Sequence, residues 1–406
     1  MSTHDFRLSL INAVTAPTAR RARANPGRAF GAIADQVRDE FDLTLTGPDA
    51  EAIEQLETVT KAFTAIPGLS GVGWMSVKTM VTRRLRTRYR VRQLHQRHPQ
   101  IADQTIDQPI FVVGLPRTAT TLTHTVLANA PGCRGPRLWE MYYPDLPQSA
   151  AVERRRSAET QREMDQVLNL SRSWNRIHPV RSGWPEEIFF LLTQMRMHAT
   201  IGPMDDYVAS LDGCDKTGDY MFVREVMQVL QYQRERPRWV LKHPGCIEDL
   251  TTIMRVFPDA TIVWTHRDPY TVIGSLCSMI ESIERMHRHR GAIDRHDIGR
   301  RWLRYTAAMA QTGRSMRVDL PRGSIIDLSY HTLMANPHLR VPELFAQLGL
   351  PWTDDDHHNL AEAIDRPRDR TGHAYAAESY GIDHTDVDRA FGDYAQMVAG
   401  LSSRGT

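Results

Sequence analysis

Cysteine is scarce in this chain: four in 406 residues, at positions 133, 214, 246 and 277, with no CxxC pair. That spacing excludes a disulfide framework and the usual zinc patterns, and it suits a reducing cytoplasm. Long apolar runs are also lacking, so no membrane-spanning helix is expected. Arg20-Arg21 is not followed by an apolar stretch of signal-peptide length. These features together point to a cytoplasmic protein. Nor is there an excess of one charge: 50 Lys+Arg against 48 Asp+Glu leave +2. A general nucleic-acid binder is excluded on that balance, and any anion site must come from local placement of charge. Internal repeats and low-complexity segments are absent, and 41% hydrophobic residues with 24% charged exclude disorder.

What is present falls into two parts. Residues 1–105 carry helical periodicity and no strand signal, as in Ile53, Leu56, Val59 and Phe63, with Ile66-Pro67-Gly68 as a breaker. We expect a helical N-terminal extension over 1–105 and an α/β domain over 106–406. Within the extension, Arg83 to Arg97 holds seven arginines interleaved with Leu85, Tyr89, Val91 and Leu94. This reads as a helix with a solvated basic face, or as a surface meeting an anionic cofactor or anionic lipid headgroups in a peripheral membrane contact. From residue 109 four short apolar runs, 109–114, 238–242, 260–265 and 323–328, have the texture of strands buried on both faces. Helical segments at 119–130, 185–201, 217–235, 247–257, 269–287 and 297–316 alternate with them. The expected fold is a three-layer α/β/α sandwich around a parallel sheet.

Gly114-Leu115-Pro116-Arg117-Thr118-Ala119-Thr120-Thr121-Leu122 follows the first strand and opens a helix. A loop in that context aims backbone N–H groups at one spot, and the helix dipole adds positive character there. Arg117 supplies a full charge, and the hydroxyls of Thr118, Thr120 and Thr121 supply donors. The lysine of a Walker A loop is missing, which disfavours magnesium-dependent ATP hydrolysis. Thr265-His266-Arg267-Asp268-Pro269 closes a later strand, with Ser275 about two helical turns on. An arginine and a hydroxyl so placed can grip a further phosphate at the carboxyl edge of the sheet.

P-x-x-x-x-G-x-P-R-[ST]-x-T-T-L followed by R-D-P and a serine eight residues past that arginine resembles the sulfotransferases that use 3′-phosphoadenosine-5′-phosphosulfate (PAPS). The resemblance implies a P-loop-like fold. It places Arg117, Thr118, Ala119, Thr120, Thr121 and Leu122 around the 5′-phosphosulfate, and Arg267 with Ser275 on the 3′-phosphate. Arg137-Leu138-Trp139-Glu140, Pro185-Glu186-Glu187, Leu241-Lys242-His243-Pro244 and Tyr380-Gly381-Ile382-Asp383 resemble a bacterial branch of the family. The family usually has glycine where Ala119 stands; alanine fits helical dihedrals, but costs about 1–2 kcal/mol at positive φ.

Sulfuryl transfer needs in-line oxygens, fixed positive groups and a base for the acceptor proton; no metal is expected. Glu140 resembles the catalytic glutamate of some relatives and His243 the histidine of others, with Lys242 placed to stabilise the leaving phosphate. Each has a structural reading too, Glu140 as a salt-bridged carboxylate and His243 as a strand cap. His124 reads as a packing residue and His266 as a hydrogen-bonded strand end. Pro185-Glu186-Glu187 reads as a helix start. Trp174, Trp184, Phe189, Phe190, Met195, Met197, Met204, Tyr207 and Tyr220 suit either a helical core or an apolar pocket for a small-molecule or lipid-like hydroxyl. The run 366–375 resembles a basic lid. A kinase-like P-loop transferase and a non-catalytic nucleotide-binding protein stay open as alternatives.

Overall fold

The computed structural model describes residues 3–168, 180–365 and 377–403. Trp174 and the 366–375 run lie outside the described residues. Five parallel strands form one sheet in the order β2-β3-β1-β4-β5. They are β1 (Ile110–Gly114), β2 (Cys133–Arg134), β3 (Arg238–Lys242), β4 (Thr261–His266) and β5 (Ile325–Ser329). Four match the apolar runs of the sequence to within about two residues, the ordinary uncertainty of element ends. β2 is an addition: two residues that become a strand only by pairing, Cys133 with Arg238 and Arg134 with Trp239. In the centre Val112 pairs with Lys242, Gly114 with Thr265, and His266 with Ser329. Parallel pairing brings the strand ends Gly114, Lys242, His266 and Ser329 to one edge of the sheet.

The N-terminal extension is helical, as expected: α1 (Thr3–Ala24), α2 (Pro26–Phe41), α3 (Pro48–Ala65) and α4 (Gly71–Arg97). α3 stops just before Ile66-Pro67-Gly68, and Gly68 takes φ +71. One hydrophobic cluster runs from Phe30, Val77 and Leu85 in these helices to Phe111 and Trp264 in the sheet. Helices and sheet therefore share a core.

Two expectations need correction. The Arg83–Arg97 stretch is neither a solvated face nor an open anion surface. Arg88 and Arg92 hold Asp49, Arg92 also holds Glu225, Arg90 holds Asp145, Arg83 holds Glu163 and Arg86 holds Glu40. Arg84, 4% exposed, donates to the carbonyls of Leu192 at 2.9 Å and Phe189 at 2.7 Å. Six of the seven arginines are thus engaged internally, and they clamp α4 to the rest of the molecule.

The second correction concerns 185–201, which is not an α-helix but two 3₁₀ turns, Ile188–Phe190 and Arg196–Ile201. Arg84 takes two of its carbonyls, and Asp219 takes the Thr193 and Gln194 amides at 2.9 and 2.8 Å. Tertiary partners replace the hydrogen bonds a helix would have used.

Candidate active site

The strand edge is built by the loop after β1. Its φ signs alternate: Arg117 has φ +72 and Ala119 φ +74, with Pro116, Thr118 and Thr120 on the negative side. Alternating hands turn successive N–H groups into one concavity, the anion-binding nest, which here opens into the helix α5 (Thr120–Ala128). Gly114, at φ +139, permits the sharp exit from β1. A Cβ there would strike the carbonyl and hydroxyl of Thr265, so only glycine fits.

The side chains of this loop divide into two groups. Thr118 is fully buried; its hydroxyl donates to Leu115 O at 2.7 Å and lies 2.6 Å from the Thr265 hydroxyl. Contrary to the sequence reading, that hydroxyl braces the loop from within, leaving only the backbone amide for a ligand. Leu122 is buried in the second hydrophobic cluster with Val126, Leu328 and Leu344. Arg117 and Thr121 are exposed at the mouth of the nest.

Ala119 is the N-cap of α5 and sits in the left-handed region. Strain of this kind collects at functional loops held by their surroundings. Ala119→Gly removes about 1–2 kcal/mol of left-handed penalty and adds back about 0.4–1 kcal/mol of unfolded-state entropy. Urea denaturation should therefore show a gain of about 0.5–1 kcal/mol for this variant. A loss would mean that this backbone is not left-handed.

Arg117, Arg267 and Ser275 come together although far apart in sequence. Arg117 Nε donates to Ser275 Oγ at 3.0 Å, and Arg267 Nη1 donates to the Arg117 carbonyl at 3.0 Å. Asp268 caps the following Pro269–His287 helix by accepting from Thr271 N at 2.8 Å, which fixes the turn carrying Arg267. The Arg267 guanidinium lies 4.0 Å from the ring centre of Tyr330, just past β5. The sequence reading did not assign Tyr330 to the site.

At the end of β3, Lys242 and His243 are almost wholly buried and meet one carboxylate, Glu187. Lys242 Nζ binds Glu187 Oε1, and His243 Nδ1 lies 3.0 Å from Glu187 Oε2. Glu187 is delivered by a backbone bridge between Arg137 and Pro185, with Glu186 N donating to Pro136 O at 2.9 Å. In the neutral tautomer that carries its proton on Nδ1, His243 donates to this carboxylate and Nε2 is the acceptor nitrogen. Nε2 is buried without a hydrogen-bond partner among the described residues. It faces Gly245, where a Cβ would stand 2.8 Å away, and the Phe189 ring packs beside the imidazole at 5.7 Å.

Glu140 is also buried, but both of its oxygens are engaged: Arg134 binds one, and the other accepts from Arg137 N at 2.9 Å. His124 binds Val240 O at 3.2 Å, and burial with Lys242 nearby pulls it down to about 3. It packs, as expected. His266 joins Asp327 at 3.0 Å and Tyr394 at 3.2 Å, a hydrogen-bonded strand end. Met195, Met204, Tyr207 and Tyr220 belong to the main core, and among the described residues of the aromatic group Phe189 packs beside His243.

The sulfotransferase family model matches residues 109–354, well over half of the chain. Among solved structures, sulfotransferase STF1 from Mycobacterium tuberculosis is 22% identical, over 89% of this chain and 98% of that one, with a TM-score of 0.78. Sulfotransferase STF9 from Mycobacterium avium is 23% identical, over 90% and 96%, with a TM-score of 0.79. The search of curated proteins returned no match. With a family model matching residues 109–354, more than half of its length, and the fold shared with these solved structures, this chain belongs to the sulfotransferase family.

Proposed function

We propose that this enzyme moves the sulfuryl group of PAPS to a hydroxyl of a small-molecule or lipid-like acceptor, releasing PAP, in the cytoplasm. The nest amides from Thr118 to Leu122, with Arg117, Thr120 and Thr121, bind the 5′-phosphosulfate. Arg267 and Ser275 bind the 3′-phosphate. His243 Nε2 takes the acceptor's hydroxyl proton as its oxygen bonds to sulfur and the bond from sulfur to the phosphate oxygen breaks. Lys242, held against Glu187, stabilises the negative charge left on that phosphate, so no step calls for a metal. The observation that carries this reading is the contrast between the two candidate bases: Glu140 has both oxygens taken, whereas His243 has one nitrogen tied to Glu187 and the other without a partner among the described residues.

Neither alternative gains support. A kinase-like transferase would rest on the absent Walker lysine. A purely binding protein gives no role to the buried Lys242–Glu187–His243 group, which is costly to keep without partners. Removing Arg267 deletes a charge-assisted contact to phosphate, so Arg267→Ala should weaken PAP binding by roughly 10- to 100-fold. The same change should leave 5′-AMP binding nearly unaltered, as read by calorimetric titration. Equal losses for both nucleotides would remove Arg267 from the 3′-phosphate.

The six arginines from Arg83 to Arg92 are paired internally and so are not free for a peripheral membrane contact.

A further inference from the structure

α1 is arranged the wrong way round for a helix that merely packs on a soluble protein. Its inner side is polar or small. Asn12 Oδ1 accepts from Val72 N at 2.9 Å, and Thr15 lies so close to Gly71 that a Cβ there would collide with it. Its outer side is apolar: Leu10 is 56% exposed and Val14 72%, with Ile11 at 39% beside them. Positions 10, 14, 17 and 21 share one helical face, so the exposed stripe Leu10–Val14–Pro17 runs into the exposed pair Arg20 and Arg21.

Charge follows the same pattern. The 22 residues of α1 hold Arg7, Arg20, Arg21 and Arg23 against Asp5 alone, although the whole chain is nearly neutral. Beneath the helix lies a cavity of about 460 Å³ lined by Asn12, Ala16, Arg20, Arg23 and His289 among others, with no carboxylate in its wall. Arg23 already serves the carbonyls of Thr64 and Ile66, whereas Arg20 has no partner among the described residues.

We propose that α1 is a docking element for an anionic bilayer. The Leu10–Ile11–Val14–Pro17 face enters the headgroup layer, and Arg20 and Arg21 pair with lipid phosphates at its edge. Apolar side chains flanked by arginines are what interfacial helices use, and each arginine near an anionic surface adds to the affinity. Charge decides between occupants. Isologous pairing with a second copy sets two faces of the same positive sign against each other, whereas an anionic membrane complements them. This inference does not depend on the donor nucleotide or on the identity of the base.

The test is cosedimentation of the full chain with vesicles of phosphatidylglycerol and phosphatidylcholine, compared with vesicles of phosphatidylcholine alone. Two double variants, Leu10→Asp/Val14→Asp and Arg20→Glu/Arg21→Glu, are run alongside, with far-UV circular dichroism and urea midpoints showing that each remains folded. Wild type should partition onto anionic vesicles roughly tenfold or more better than onto neutral ones, the preference collapsing in high salt. Both variants should lose that preference. Equal partition onto both vesicles, or undiminished anionic binding by Leu10→Asp/Val14→Asp, would overturn the proposal. So would a dimer in solution that this variant converts to monomer, because a second copy would then cover the face.

Discussion

Replacing His243 with alanine should lower kcat by about 10²–10⁴-fold while PAP still binds within about threefold of wild type. The magnitude is that of removing a positioned proton acceptor. His243 suits the proposed role: its Nδ1 meets Glu187 at 3.0 Å, and its Nε2 has no hydrogen-bond partner among the described residues. Its neighbour Lys242 shares the same carboxylate. Glu187→Gln should lower kcat less than the His243 change, because glutamine keeps an acceptor for Nδ1–H. Glu140→Gln should act mainly on stability, since that carboxylate braces Arg134 and the Arg137 amide. Single-turnover rates with saturating PAPS and a generic phenolic or alkyl alcohol acceptor distinguish these roles. If Glu140→Gln abolished transfer while His243→Ala retained it, the base would be Glu140.

Mild acid should destabilise this protein steeply, with a slope rising to roughly 3 kcal/mol per pH unit well below pH 6.5. The effect comes chiefly from two histidines buried in neutral form. His124 is held down to about 3 by burial and by nearby Lys242. His198 is held down to about 3 by burial and by Arg84, its Nε2 on Thr193 O at 2.9 Å. In the unfolded chain both recover a value near 6.5. Above that pH neither state binds these protons and the full stability is present. Below it the unfolded state binds two protons that the folded state refuses, at about 1.36 kcal/mol per unit for each, until pH approaches 3. Between pH 6.5 and 5 the loss reaches about 3 kcal/mol, a large part of the usual 5–15 kcal/mol. Asp327 adds to it at lower pH: although burial opposes ionisation, hydrogen bonds from His266 and Arg317 hold its carboxyl far below the usual range. Urea midpoints at pH 7 and pH 5 measure the effect, and equal midpoints would contradict the buried neutral histidines.

Much of the fold was legible because burial leaves a local mark. Strands covered on both faces read as apolar runs, and the loop after β1 shows itself as glycine, arginine and threonines between a strand and a helix. What the sequence concealed depends on partners distant along the chain. Glu187 after Pro185 looks like an acidic helix start; its partners Lys242 and His243 lie 55 and 56 residues away. The arginines of α4 look like a solvated stripe because Asp49, Asp145, Glu163 and Glu225 stand 39 to 133 residues off. Ala119 allowed two conformations on paper, and only the observed φ of +74 identifies the strained one.

The central claim, that the site is shaped for a nucleotide bearing both a 5′- and a 3′-phosphate, is tested most directly by calorimetric titration of the full chain with PAP and with 5′-AMP, without magnesium. PAP should bind much more tightly than 5′-AMP, and Arg267→Ala should erase the difference. Equal affinity for the two nucleotides, or no binding of PAP, would contradict it.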